Sequence, residues 1–205
     1  PPPVSRGGEA PTVLAQLCDT PGYVSDAEAW ASTPEMVLFS DGRLIRTEWT
    51  QPTGQQRLLE GQLSLDQICG FLIDLEEDGF YDLSASDIPT DEIVTDASTT
   101  RMMVNGWQKK VFAIYALGSV NMPAALRQGF ERLLSLSADE LRPYSPNRIA
   151  LKIFKIDGET GQWARANRTI DWVFETPISD LYDQAQKDEF EFGQIIVEDD
   201  LAQAL

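Results

Sequence analysis

The chain of 205 residues contains no histidine. That absence removes the commonest acid–base group at neutral pH, the usual nitrogen ligand of zinc, and every serine or cysteine triad built on an imidazole. Cysteine is scarce as well. Cys18 and Cys69 are the only two thiols, and without a nearby histidine or third cysteine they form neither a zinc quartet nor a CxxC redox pair. They either make one disulfide, in an oxidising compartment, or remain as buried thiols. The disulfide is the reading carried forward; closing a loop of about fifty residues contributes roughly 4 kcal/mol by loop-closure entropy.

Basic residues are few: sixteen Lys and Arg face thirty-three Asp and Glu, a net charge of −17. Such a surface repels phosphate backbones and anionic lipid, so no nucleic-acid partner is expected. It suits solubility and, more sharply, a cation or a basic partner. Long apolar runs are also missing. The longest, Val111 to Leu117, is too short for a transmembrane segment. No GxSxG, GxGxxG or P-loop occurs, and no cofactor is expected. Apolar residues make up 42% of the chain, enough for a folded core.

What is present centres on Glu92 to Gly118. Two β-prone runs flank Asn105-Gly106, a pair that favours a two-residue type I′ turn. Pairing across that turn sets Val104 opposite Trp107, Met102 opposite Lys109, Thr100 opposite Val111 and Asp96 level with Tyr115. Upstream, residues 1–10 are rich in Pro and Gly and read as a flexible tether. Residues 11–20 fit a short helix with Val13, Leu14 and Leu17 inward, stopped by Pro21-Gly22. Met36 to Phe39 and Leu44 to Trp49 read as strands joined at Asp41-Gly42, and Gln55 to Leu63 as a third. Ser64 and Gln67 form a capping box that opens a helix, with Leu65, Ile68, Phe71, Leu72 and Leu75 on its buried face and Gly79 ending it.

Pro123 opens a second helix with Leu126, Phe130, Leu133 and Leu134 as its stripe, expected to lie on the hairpin. The Pro-rich stretch 142–146 is an internal boundary. Beyond it come a strand from Ile149 to Ile153, a turn at Asp157-Gly158, extended packing near Trp163 and Asp171–Phe174, a short helix over 178–187 and a strand from Gln194 to Val197. Hairpins dominate and no βαβ array appears. The expected fold is α+β, an antiparallel sheet built from hairpins with two helices packed on one face. The domain plan is a main α+β domain over 11–144 and a C-terminal extension, 145–205, packed on it.

Three constellations bear on chemistry. Between Leu58 and Thr100 lie eleven Asp or Glu and no Lys or Arg. Within that run Asp74, Glu76, Asp78, Gly79 and Asp82 match positions 1, 3, 5, 6 and 9 of an EF-hand-type loop, but position 12 is Ala85 where a bidentate Glu is required. These four acids are weak metal candidates, and a solvated helix end is the plainer reading. Asp96 and Asp171, beside Trp172, are the carboxylates to inspect for a carboxylate hydrolase. Trp49, Trp107, Trp163 and Trp172 lie on or beside strands, and Trp107 is the leading contact residue.

The DxxTT of Asp96–Thr100, the Asn105-Gly106 turn, the strand ending VFAIYALG and the Pro123-initiated helix together resemble an uncharacterised family of bacterial secreted proteins and lipoproteins. MVLFSDGRLI, LSLDQICGFLIDL and PYSPNRIALKIF fall in the same order, so the likeness runs over about residues 34–156. It implies an extracytoplasmic location, secreted or membrane-anchored; a lipobox cysteine is missing from the opening residues. No catalytic residues come with it. The expectation is a non-catalytic binding or structural protein, an accessory subunit of a cell-envelope assembly with a protein partner. The alternatives are a small-ligand or cation-binding domain using the acidic loop 74–92, and a carboxylate hydrolase.

Overall fold

A computed structural model describes residues 11–22, 33–50, 55–88, 95–146, 148–153, 186–187 and 193–198. The chain divides into two units, 1–144 and 145–205. The first holds strands β1 (Val13–Thr20), β2 (Met36–Phe39), β3 (Arg43–Thr50) and β4 (Gln55–Gln62), then helix α1 (Leu65–Glu77) and two 3-10 turns (Phe80–Asp82, Ala85–Asp87). It continues with β5 (Thr99–Asn105), β6 (Lys109–Tyr115), α2 (Ala124–Ser135) and the short β7 (Arg142–Pro143). The seven strands form one antiparallel sheet in the order β6-β5-β1-β2-β3-β4-β7. This is the expected α+β fold, with both helices contributing to one core on one face. The second unit holds β8 (Arg148–Ile153), β9 (Gln186–Lys187) and β10 (Gly193–Glu198), an antiparallel sheet in the order β8-β10-β9. The strands expected at 149–153 and 194–197 are β8 and β10. The expected features at Asp157-Gly158, Trp163 and Asp171–Phe174, and most of the helix over 178–187, lie outside the described residues; 186–187 are strand.

Residues 13–20 are a strand, correcting the helix expected there. β1 is paired on both sides, by β2 and β5. An irregularity in its register between Val13 and Ala15 leaves Leu14 and Ala15 both fully buried. A bulge of this kind breaks the two-residue period, so Val13, Leu14 and Leu17 imitate helical spacing in the sequence.

Helix α1 begins as its sequence dictates. The Ser64 hydroxyl accepts from the Gln67 N–H at 3.2 Å, and the Gln67 side chain accepts from the Ser64 N–H at 2.8 Å. Ile68, Phe71, Leu72 and Leu75 are buried, while Leu65, at the first helical position, stays 55% exposed. In α2, Leu126 and Leu133 are buried and Phe130 and Leu134 pack at the core margin. Its main contacts are α1, the Phe80 turn and β1, rather than the β5–β6 hairpin. Arg46 of β3 donates to the carbonyls of Leu134 and Leu136 at 2.8 and 2.6 Å. It thereby satisfies acceptors left open at a helix C-terminus and places a positive charge at the negative end of the dipole.

The β5–β6 hairpin is real, but its register differs from expectation. Asn105 pairs with Lys109, Met102 with Phe112, Thr100 with Ile114 and Thr99 with Tyr115. The connection is therefore three residues, Gly106 to Gln108. Neither Asn105 nor Gly106 has the positive φ that a type I′ turn needs, whereas Gly42, in the β2–β3 loop, does at 88°. The observed register differs from the expected one by three residues, an odd number, and an odd slip moves every β6 side chain to the opposite face. It puts Phe112 and Ile114 in the core with Met102 and Val104. The expected register would have buried Lys109 and left both outside.

Candidate functional site

The free cysteines correct the disulfide. Cys18 and Cys69 are not joined. Leu17 belongs to the core that α1 covers, so strand alternation sends the neighbouring Cys18 to the other face of the sheet. Cys69 sits on α1, and the sheet separates the two thiols. Burial pushes the Cys18 thiol up, its largest influence, and so keeps it from acting as a thiolate.

Trp107 stands in the three-residue connection between β5 and β6, 45% exposed. Two side chains tie that corner to the 3-10 segment behind it. Gln108 Nε2 donates to the Tyr81 carbonyl at 2.9 Å, and Lys110 Nζ to the Leu83 carbonyl at 2.7 Å. Gly106 is buried beneath the corner. A Cβ there would lie 2.2 Å from the Tyr81 hydroxyl oxygen and 2.9 Å from Leu72 Cδ2. The glycine is required for close approach, and the Asn-Gly pair had pointed to a turn type instead. Tyr81 is buried, and its hydroxyl has no hydrogen-bond partner within normal geometry. Desolvation pushes its pKa to about 12, with the Trp107 backbone working against the rise and the Glu76 charge adding to it. Phe80 fills the centre of the core and meets Tyr81 and Phe112 edge to face, each at 5.6 Å between ring centres.

Two acids of the acidic run act on this corner, Glu76 on the Tyr81 phenol and Asp87 on Lys110. Asp87 accepts from the Ser84 N–H and shares a hydrogen bond with its hydroxyl, each at 2.7 Å, and these bonds hold its carboxyl below the usual range. Lys110 adds a smaller pull in the same direction. Of the weak metal candidates, Asp74 and Asp78 both bind Arg132 of α2: Asp74 Oδ2 at 2.7 Å from Nη1, and Asp78 through Nε. That hydrogen bond is the main reason the Asp78 carboxyl lies below its ordinary range. Asp74 and Glu76 are inside the helix, so the chain does not curl around a central point as a calcium loop does. Among the described residues no three His, Cys, Asp or Glu gather as metal ligands. Asp96 lies just before β5 with φ 62°, and Tyr115 is level with Thr99 instead. Asp171, Trp163 and Trp172 lie outside the described residues.

The sheet face away from the helices carries a continuous row across six strands. The register aligns Val111, Met103, Gln16, Val37, Ile45 and Glu60. Val111 is 49% exposed, Tyr115 four residues on is 43%, and Trp49 at the far end of β3 is 58%. No helix among the described residues lies on this face. Comparison with protein-family models, curated proteins and solved structures found no match.

Proposed function

We propose that the protein is a non-catalytic binding module that docks on a protein partner through the Trp107 corner and the open face of the sheet. The observation that carries this reading is the anchoring of Trp107. Gln108 and Lys110 clamp its loop onto the Tyr81–Leu83 backbone, so a large aromatic is held outward with little ordering left to do on binding. Glu76, whose charge reaches the Tyr81 phenol, and Asp87, which feels Lys110, set carboxylates beside the two lysines of the corner, Lys109 and Lys110. An outward aromatic on a chain of net charge −17 suits a basic segment of a partner, with Arg or Lys over the indole.

The cation-binding alternative loses ground to a specific contact. The Arg132 guanidinium already occupies Asp74 and Asp78. An extracytoplasmic setting, as part of a cell-envelope assembly, rests on the family resemblance, because free thiols withdraw the cysteine argument for an oxidising compartment.

The reading is tested by titrating the full chain with an Arg/Lys-rich peptide and with a charge-neutral peptide of equal length, following tryptophan fluorescence. Binding of the basic peptide that weakens with added salt and is lost in Trp107→Ala supports it. Equal response to both peptides, or an unchanged response in Trp107→Ala, rules it out.

A further inference from the structure

At the sheet edge opposite Trp107, where β7 adds only two residues beside β4, there is a cavity of about 820 Å³. Its size lies in the range of small-molecule sites. Arg43, Glu60, Gln62, Asp139, Glu140 and Arg142 carry the polar groups that line it. The Arg43 guanidinium lies over the Phe39 ring, 4.4 Å from its centre, which fixes the head of a long side chain. Its Nε is shut off from solvent and has no hydrogen-bond partner among the described residues. A buried cationic donor without an acceptor is costly and uncommon; closed to water it is closed to a ligand oxygen too, so an entering acceptor meets the part of Arg43 that lines the cavity. On the rim, Arg142 Nε donates to Glu60 Oε1 at 3.0 Å, and the Arg142 side chain is 79% exposed.

The wall of the cavity is built in advance. A Cβ at Gly61 would stand 2.5 Å from the Ala138 Cβ and 2.8 Å from the Glu140 carbonyl oxygen. Lacking one, β4 lets the segment 138–141 lie directly against it. That segment brings Asp139 and Glu140 to the same space as the two arginines.

Charge then selects the ligand. A simple anion is attracted by Arg43 and Arg142, but it meets Glu60, Asp139, Glu140 and a chain of net charge −17. A simple cation is attracted by the carboxylates but meets two guanidiniums. A molecule bearing both charges a few bonds apart satisfies both sets at once. We infer that this cavity binds a small zwitterion of the α-amino-acid class, its carboxylate accepting from Arg43 and its ammonium facing Asp139 and Glu140. The site is on the opposite edge of the sheet from the Trp107 corner and does not depend on that corner's role.

The test uses the full chain labelled with ¹⁵N and three pools at millimolar concentration: L-amino acids with uncharged side chains, their N-acetyl derivatives and their carboxamides. The arginine Nε–Hε signal of Arg43 is assigned by its loss in Arg43→Lys. The amino-acid pool is expected to move that signal and to raise the unfolding midpoint, with the other two pools binding at least about tenfold more weakly, equivalent to about 1.4 kcal/mol. Asp139→Asn, at an exposed position outside the core, is expected to weaken the amino-acid response while leaving the fold intact. This keeps the test valid if changes at Arg43 prevent folding. An equal response to either blocked pool, no response to any pool, or an undiminished response in Asp139→Asn overturns the assignment.

Discussion

Tyr81 and Gly106 form a pair that only the folded chain reveals. The phenol is buried without a partner, and the glycine above it has no room for a methyl group. The Trp107 backbone is the polar group beside that hydroxyl, but it makes no hydrogen bond of normal geometry, so Tyr81→Phe removes mainly a desolvation cost and is expected to hold or raise stability by up to about 1 kcal/mol. Gly106→Ala forces an atom into the Tyr81 oxygen and is expected to cost about 1–3 kcal/mol. Combined with Tyr81→Phe, that cost should shrink; a denaturant-melting double-mutant cycle showing strict additivity would refute the contact. Arg132 offers a second residue-level test. Asp78 has its pKa depressed in the folded state, so its contribution is present above the unfolded value of about 3.9 and is lost as pH falls through the lower folded value. Arg132→Gln should therefore lower the melting midpoint at neutral pH and converge with the parent in strong acid. A gap between the two that stays constant with pH would contradict the clasp.

At the scale of elements, the hairpin shows which signal wins. Asn105-Gly106 predicts a tight turn, yet the alternation of Phe112 and Ile114 with Val111 and Ala113 decides the register, because slipping it would expose two large apolar groups and bury a lysine. The two registers assign Val111 and Phe112 to opposite faces. Phe112→Ala is expected to cost about 3–5 kcal/mol, and Val111→Ser no more than about 0.5 kcal/mol, both read by chemical denaturation; the reverse order would restore the two-residue turn. Elements whose signals are local were legible in the sequence. The Ser64–Gln67 capping box, the apolar stripe of α1 and the Gly42 loop each need only a few adjacent residues. β1 was illegible because its bulge disguises a strand as a helix, and its place between β2 and β5 depends on partners distant in sequence. Phe80 and Tyr81 read as loop residues, since a three-residue 3-10 turn has no period to detect, although they anchor the core.

Across the whole molecule, the candidate site was legible in part. Trp107 stood out as an aromatic beside a turn, but the clamps from Gln108 and Lys110 run to backbone carbonyls 27 residues away and leave no pattern in the sequence. The acidic run was plain, while the arginine that answers it is 54 residues from Asp78. The cysteines failed as a signal because a count of two says nothing about which side of a sheet each occupies. Both thiols should be alkylated without reductant, seen as two added groups in the intact mass, with Cys18 the slower because burial raises its pKa. A mass left unchanged would reinstate the disulfide.

The account stands on Trp107 as the centre of a docking surface within an acidic setting. Its most direct measurement is gentle native extraction of the parent and of Trp107→Ala, each sized at low and at raised salt with mass spectrometry of the fractions. The parent should migrate in a larger assembly that raised salt weakens and that the Trp107→Ala protein fails to join. A parent chain that runs alone at its own 22.8 kDa under both conditions would contradict the docking role.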